Sequence, residues 1–401
     1  MPWKETNAMK EKEKFIEQML LAEKPFKHLC AEFGISEKTG YKWKNRFLEQ
    51  GNAGLSELSR ASHSHTNSID GDTAAELICL KNAHPAWGPK KIRELYAKAY
   101  PNKSVPSLSS VKRILEKAGL VKARRTRKPS SSDCPRLQRQ IKAEAPNDVW
   151  CIDFKGWWKS DGEICEPFTV RDQFSRKILC ARLMTSKDSA AVRAVMTDLF
   201  RMYGLPKVIH SDNGAPFAAP NGLLNLTNLS AWWITLDILP DRSKKGCPGQ
   251  NGSLERMHAD IAREIEGKVP GGIAANQAVL DDWILEYNSL RPNEAIGMAA
   301  PDSVYCVSER KYTGDFDEIE YPPGFQVRKV CRSGEILLSG IRISVGHALR
   351  GLQVGLKPVD DGRTFHVFLA DFLLGTLDLN SCCFFPLDDV KSDKATSSPL
   401  Q

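Results

Sequence analysis

Three acidic residues occupy positions where a carboxylate could bind a cation. Asp153 lies in the predicted strand WCIDFKG between apolar neighbours, where an ionised side chain is unfavourable unless a cation or another partner accompanies it. Asp212 follows a predicted strand in HSDNG, and residues at strand carboxyl ends face the ligand crevice of α/β sheets. Glu255 lies in the first turn or so of a predicted helix, after the glycine-rich segment CPGQNGS.

Carboxylate oxygens are the protein ligands that Mg²⁺ and Mn²⁺ prefer, and these ions normally keep water or phosphate oxygens as further ligands. Two such ions about 3.5 to 4 Å apart would activate the attacking oxygen and stabilise the leaving oxygen of an in-line displacement at phosphorus. We therefore predict that Asp153, Asp212 and Glu255 bind two Mg²⁺ or Mn²⁺ ions. Such a displacement needs no covalent enzyme intermediate.

Each acid alone also has an ordinary interpretation as a surface residue, a helix N-terminal charge or a turn former, and only the ordered set favours chemistry. Four residues close to the acids in the sequence could contact DNA or orient ligands, and a purely structural role is the alternative for each. These auxiliary candidates are Lys155, Asn251, Arg256 and His258.

The segment that contains the acids alternates strands and helices, which predicts an α/β domain with a mixed sheet. Turn signals separate three antiparallel strands at 149–158, 167–172 and 177–183. A helix at 188–203 and a strand at 207–210 follow, and we predict a further strand at 233–239. Helices at 252–266 and 276–288 complete the domain.

The first fifty residues have the pattern of a helix-turn-helix. Apolar spacing predicts three short helices between residues 10 and 50, with a tight turn at Gly34 and a serine N-cap at Ser36 before the third. Trp43 and Phe47 are expected to pack inward. A generic three-helix packing unit is the alternative, but donors on the third helix could reach phosphates or base edges in a major groove: Lys38, Lys42, Lys44 and Arg46.

A second helical unit is predicted from helices at 73–82, 89–100 and 107–118, and the last of these exposes Lys112 and Arg113. The basic segment KARRTRK follows, in which Arg124, Arg125, Arg127 and Lys128 could bind the DNA backbone without sequence specificity. An ordinary solvated linker is the alternative for so short a basic run. Near the C-terminus, short predicted strands at 326–331, 335–338, 341–344, 352–358, 364–369 and 372–378 favour a small barrel.

Charge and composition agree with a DNA-binding protein. Residues 1–150 carry 28 Lys and Arg against 17 Asp and Glu, whereas the rest of the chain has a slight acidic excess. The eleven cysteines include no C-x-x-C pair, which argues against a zinc finger, and we assign them no function. Because no apolar stretch is long enough for a membrane span and the N-terminus is too charged for a secretory signal, we expect a cytoplasmic protein.

Four motifs in this order resemble the core of bacterial insertion-sequence transposases, which share the retroviral-integrase catalytic domain. They are WCIDFKG, HSDNGAPF, CPGQNGSLERMH and YNSLRPNE with Pro301, and the resemblance covers residues 147–301. It implies an RNase H-like fold in which Asp153, Asp212 and Glu255 are the DDE triad and YNSLRP ends the helix after the catalytic one. Asp212 and Glu255 are 43 positions apart, longer than is usual for the family, and we place the excess in an insert at 218–232.

The implied organisation is multidomain. A helix-turn-helix domain at 1–54 and a linker at 55–70 precede a second helix-turn-helix or winged-helix-like domain at 71–121. A basic linker at 122–146, the RNase H-like core at 147–301, a β-barrel domain at 302–390 and a tail at 391–401 complete the chain. The zinc-binding module of retroviral integrases has no counterpart, so zinc should not be required.

The resemblance implies a Mg²⁺-dependent polynucleotidyl transferase that binds double-stranded DNA at the terminal inverted repeats of its element. It would cut the 3′ ends and join them to target DNA, which requires a dimer or larger assembly on DNA, associated with the bacterial nucleoid when bound. Two alternatives stay open at this point: a helix-turn-helix transcriptional regulator that has lost catalysis, and a metal-dependent nuclease that hydrolyses DNA without joining it.

Overall fold

The computed structural model describes residues 8–57, 69–121, 141–219, 222–243, 252–314, 319–359 and 362–392. The chain divides into two compact units, Met1–Asp70 and Gly71–Gln401. Within the described residues, no helix combines the length and apolar character that a membrane span requires. The predicted basic segment at 122–128, with Arg124, Arg125, Arg127 and Lys128, lies outside the described residues, as does Asn251.

The first unit is the expected three-helix arrangement. Helices α1 (Ala8–Leu21), α2 (Phe26–Glu32) and α3 (Glu37–Gln50) surround a core that contains Phe15, Leu29 and Trp43. The Ser36 hydroxyl accepts a hydrogen bond from the Thr39 amide at 3.2 Å, which caps α3 as the sequence predicts. Residues 51–55 form a short 3₁₀ turn that buries Leu55 in the same core.

The second unit begins with a helical bundle, here called the second bundle. It consists of α4 (Gly71–Ala83), α5 (Pro89–Ala99) and α6 (Leu108–Lys117), and all three agree with the predicted helices to within two residues at each end. Ser107 caps α6 because its hydroxyl accepts from the Ser110 amide at 3.2 Å. Leu77, Ile92 and Leu115 are fully buried in the core of the bundle.

The central domain has a five-stranded mixed sheet in the order β5-β4-β1-β6-β7. Its elements along the chain are β1 (Val149–Phe154), the hairpin β2 (Trp158–Ser160) and β3 (Glu163–Cys165), β4 (Pro167–Asp172), β5 (Ile178–Leu183), α7 (Ser189–Tyr203), β6 (Val208–Ser211), α8 (Asn228–Thr235), β7 (Leu239–Arg242), α9 (Gly252–Glu264) and α10 (Gly272–Ser289). Strand β1 is antiparallel to β4 and parallel to β6. The predicted mixed α/β sheet is therefore confirmed.

Two predicted strand boundaries in this domain are wrong. The strand expected at 149–158 ends at Phe154, since Gly156 adopts a left-handed conformation with φ of 94°, and a separate hairpin follows. The strand expected at 233–239 is instead helix α8, and β7 starts only at Leu239. A capping box formed by Thr227 and Ser230 starts α8, and its apolar residues are buried all round, so the sequence shows no helical stripe.

The predicted insert at 218–232 includes the first five residues of α8, and this helix packs against two cores. Leu229, Trp232 and Trp233 belong to the core of the central domain. Leu226, Ala231 and Ile234 belong instead to the apolar core of the C-terminal domain. The insert therefore joins the two domains through a continuous apolar contact rather than forming a surface loop.

We expect Ile234→Ala to lower the free energy of unfolding of the second unit by about 2 to 4 kcal/mol, because it leaves a cavity at this junction. Val279→Ala on α10 is a matched control, since that side chain is 38% exposed. Urea unfolding of the full chain measures both. Equal effects of the two substitutions would contradict the assignment of α8 to the C-terminal core.

The C-terminal domain is β-rich, as predicted. Strands β8 (Gln326–Lys329), β11 (Gln353–Pro358), β12 (Thr364–Leu369), β13 (Phe372–Asp378) and β14 (Cys383–Ser392) form one sheet in the order β14-β13-β12-β11-β8, and β9 (Glu335–Leu338) pairs with β10 (Ile341–Ser344). The β9–β10 hairpin contacts β8 and β14, but within the described residues these two strands form a backbone ladder only with each other. A closed barrel is therefore not shown. Strand β14 was not predicted, and it extends into the expected tail as far as Ser392.

Candidate active site

Strand β1 directs Asp153 towards helix α9. Side chains alternate between the two faces of a strand, and Trp150 and Ile152 enter the core shared with α7. Val149 and Cys151 enter the opposite core, which contains Leu254 and Met257 of α9. Asp153 continues this second series, so it faces the helix that carries Glu255.

Hydrogen bonds from β4 fix the backbone at Asp153. Thr169 is opposite Asp153 in the ladder, and its hydroxyl donates to the Asp153 carbonyl at 2.9 Å. The same hydroxyl oxygen lies 2.8 Å from His258 Nε2. Since the hydroxyl proton is used on the carbonyl, we infer that His258 donates from Nε2 and presents an unprotonated Nδ1, which lies 4.0 Å from Asp153 Oδ2.

Asp212 lies in a turn held by strand β7. The Gly214 amide donates to Asp212 Oδ1 at 3.1 Å, and the Asn213 side-chain amide donates to the Ser243 carbonyl. His210 is buried just before this turn, where Nδ1 contacts Asp241 Oδ2 at 2.6 Å and Nε2 contacts Ser243 Oγ at 3.1 Å. Hydrogen bonds between the end of β6 and the end of β7 thus fix the turn that carries Asp212.

Glu255 is an exposed residue in the first turn of α9. The start of that helix is anchored to the sheet, because the buried guanidinium of Arg171 on β4 donates to the Ser253 carbonyl at 2.6 Å. An acidic residue in a first helical turn is also favourable by itself through the helix dipole. The anchor, however, fixes where that acid stands relative to β1.

The charges of the other two acids act on Asp153. Its pKa is raised from 3.8 to about 7, mainly because burial disfavours the charged carboxylate, and also because Asp212 and Glu255 repel it. The pKa of His258 is lowered to about 4, first by burial and then by the positive charges of Lys155 and Arg171. An uncharged imidazole therefore stands beside a carboxyl group that two other acids repel.

The chemistry of the donors fits a hard divalent cation, since all three groups are carboxylates and a cation would relieve the repulsion at Asp153. Within the described ranges, however, no three His, Cys, Asp or Glu side chains are already arranged as a metal-ligand group. Binding would therefore need side-chain adjustment, most simply of the exposed Glu255.

The auxiliary candidates within the described residues differ in their position relative to the three acids. His258 is in the site, as described, and Arg256 is exposed beside Glu255. Lys155 is engaged elsewhere, because its ammonium forms a 2.5 Å ion pair with Glu266, two residues after the end of α9, and lies 5.0 Å from the centre of the Trp158 ring. Sequence reasoning missed Thr169, Arg171 and Asp241. The first two carried a signal, since polar residues inside the apolar strand PFTVRD must find buried partners.

The predicted DNA-contacting residues of α3 differ in exposure. Lys38 and Lys42 are exposed, whereas Lys44 and Arg46 are half-buried. The Lys42 ammonium and the Arg46 guanidinium lie 4.7 and 5.3 Å from the Trp43 ring centre. On α6, Lys112 and Arg113 are exposed, and Lys112 pairs with Glu116 at 3.5 Å.

We expect Lys38→Ala and Lys42→Ala each to weaken DNA binding by a similar factor for all sequences, and to reduce the slope of log affinity against log salt by about 1, because each lysine would neutralise one phosphate. Lys14→Ala on α1 is a matched control, as it is an exposed lysine of the same unit. Gel shifts of the full chain at several salt concentrations test this. An unchanged slope in both α3 variants would refute the assignment of α3 as the DNA-contacting helix.

Five family models match the chain. A helix-turn-helix domain matches residues 11–63 and a homeodomain-like domain matches residues 39–115. Integrase core domains match residues 143–248 and 236–301, which together include Asp153, Asp212 and Glu255. The C-terminal domain of IS481 family transposases matches residues 325–382.

Similar proteins belong to insertion elements. A 39.2 kDa protein of insertion element IS476 from Xanthomonas euvesicatoria is 24% identical over 229 residues, 57% of this chain and 63% of that relative. The chain thus spans less than two thirds of that relative's length. A 31.7 kDa protein of insertion element IS407 from Burkholderia multivorans is 26% identical over 242 residues, 60% of this chain and 82% of that relative.

Among solved structures, the HTLV-2 integrase catalytic core domain in complex with magnesium is 15% identical. The match covers 41% of this chain and 100% of that one, with a TM-score of 0.32. The order of the motifs and the family models for the core and the C-terminal domain lead to one conclusion. The findings support an insertion-sequence transposase with an integrase-like core.

Proposed function

We propose that the chain is a DDE transposase that binds the terminal inverted repeats of its element, cuts the DNA at the 3′ ends and joins those ends to target DNA. The observation that carries the proposal is the position of Asp153, on the face of β1 that packs against α9, the helix with Glu255. Burial and the charges of Asp212, in a turn after β6, and of Glu255 raise the pKa of this carboxyl group. Three acids from separate elements are costly to bring together unless a cation is bound there during function.

Asp153, Asp212 and Glu255 would hold two Mg²⁺ or Mn²⁺ ions. When bound, these ions would supply charge stabilisation for the attacking and leaving oxygens of a phosphoryl transfer. The other residues of the site have positioning roles. Thr169 fixes the Asp153 backbone, and Arg171 fixes the start of α9. His258, uncharged at neutral pH, adds no positive charge that would compete with a cation for the acids.

Recognition of the DNA ends is assigned to the helical regions. In this proposal α3 enters a major groove, while Lys112 and Arg113 of α6 and the basic residues Arg124, Arg125, Arg127 and Lys128 contact the backbone. The C-terminal domain would act as a small barrel that adds DNA contacts. Simultaneous capture of two ends requires a dimer or larger assembly, which would act in the bacterial cytoplasm on nucleoid DNA.

The proposal is tested by incubating the purified full chain with labelled element ends, a target plasmid and Mg²⁺. We expect labelled ends to become covalently joined to plasmid, and joining to disappear when EDTA replaces Mg²⁺. Hydrolysed ends without joined product would identify a nuclease instead. Selective end binding without any cleavage would identify a DNA-binding regulator.

A further inference from the structure

Arg291, two residues after α10, is a buried cation bound to the catalytic helix. The side chain is 4% exposed, and Nη2 donates to Asp260 Oδ2 at 2.9 Å. Nη1 lies 3.1 and 3.3 Å from the two carboxylate oxygens of Glu264. Asp260 and Glu264 are one turn apart on α9, the helix that begins beside Asp153 with Glu255. The forked guanidinium thus holds two successive turns of this helix at once.

The second bundle covers this ion cluster. Trp87, between α4 and α5, is buried, and its ring centre lies 5.9 Å from the Arg291 guanidinium. Leu290 packs into the apolar core of the bundle. At the edge of the contact, His84 Nδ1 lies 2.9 Å from Glu286 Oε1, and Lys90 pairs with Glu294 at 3.1 Å. The bundle therefore shields Arg291 from water and holds the chain before it, at Glu286, and after it, at Glu294.

The charged groups around Arg291 include both signs, and they are largely shielded from water. Lys91 of α5 faces the same cluster, and its pKa is lowered to about 8 because burial and Arg291 disfavour its charge, although Asp260, Glu264 and Glu294 favour it. In such an environment, removal of one partner leaves a buried charge without compensation, so the remaining groups must move. The helix that would move is α9, since it contributes both carboxylates.

We propose that Arg291 is a positioning residue that fixes α9, and through it Glu255, with the second bundle acting as the cover that keeps this contact dry. The expected effect of Arg291 on joining rests on the proposed function, whereas its expected effect on the hydrogen exchange of α9 does not. It also gives the bundle a role within the catalytic unit besides DNA contact. Arg291 does not touch DNA or the reacting atoms in this account.

The test is backbone hydrogen exchange of the full chain, combined with joining kinetics. For Arg291→Gln we expect the amides of α9 to exchange about 10-fold faster while those of α7 are unchanged. The kcat for joining should fall by about 10-fold or more at unchanged KM for DNA ends, because a small displacement of Glu255 impairs the reaction and not binding. Arg291→Lys should recover only part, since one ammonium cannot bridge both carboxylates as the fork does.

Arg263→Gln is the matched control, because Arg263 contacts the same two carboxylates but is half exposed and belongs to α9 itself. We expect its α9 exchange and kcat to stay as in the wild type. Should Arg291→Gln fail to fold, Glu264→Gln removes part of the same contact and should show the same selective change. Unchanged α9 exchange, or a general loss of protection with unchanged kcat, would overturn the inference. If Arg291→Gln speeds the exchange of α9 but the wild type itself never joins DNA, only the proposed function is contradicted.

Discussion

Asp153→Asn, Asp212→Asn and Glu255→Gln should each abolish joining of DNA ends while binding of those ends survives. We expect the joining rate to fall by about 10³-fold or more, since bound metal ions supply several kcal/mol of transition-state stabilisation and an amide is a much weaker ligand than a carboxylate. Single-turnover joining assays with labelled ends, together with gel shifts, measure the two properties separately.

Asp198→Asn is the matched control for these substitutions. Asp198 is an exposed acid on α7 that pairs with Arg201 at 3.4 Å, outside the candidate site. Its joining rate should equal that of the wild type. If any one of the three acidic positions keeps near-normal joining as an amide, that residue is not part of the catalytic set.

The stability of the metal-free protein should depend on pH through Asp153. Because its pKa is about 7 in the folded chain and 3.8 is the ordinary value, the folded state holds this proton more tightly than the unfolded state does. Stability is therefore lost as pH rises from about 4 to about 7. Without divalent ions, Asp153→Asn should stabilise the second unit at about pH 8 by up to about 4 kcal/mol, since one pKa unit corresponds to about 1.4 kcal/mol.

Added Mg²⁺ should reverse this difference. An ion that binds the folded acids stabilises the wild type at about pH 8 by mass action, and the Asn variant should gain much less. Urea unfolding with EDTA or with Mg²⁺ gives both values, and Asp198→Asn should behave like the wild type throughout. A wild type whose stability is the same with and without Mg²⁺ would argue against metal binding by these acids.

Most helices and strands follow from local signals in the sequence. Ser36 and Ser107 are N-caps that mark helix starts, and the turn residues separate β4 from β5 without any tertiary information. Helix α8 could not be found in this way. Its apolar residues face two different cores at once, so the sequence has no periodicity that distinguishes a buried helix from a buried strand.

In the candidate site, too, some residues could be found from the local sequence and others only from the fold. Asp153, Asp212 and Glu255 could be selected from the sequence because motif context surrounds each of them. Their supports could not, since Thr169, Arg171 and Arg291 act through contacts with residues more than 15 positions away along the chain. Long-range partners of a buried polar residue depend on the fold, whereas the need for some partner is visible in the sequence.

If this set of acids catalyses strand transfer, a DNA 3′-OH must attack target DNA. The most direct measurement supplies the full chain, Mg²⁺ and a target plasmid with pre-cut element ends that carry either a 3′-OH or a 3′-deoxy terminus. We predict joined product from the 3′-OH ends alone. Equal joining from the 3′-deoxy ends, or hydrolysis of plasmid without joining from the 3′-OH ends, would contradict strand transfer by these acids.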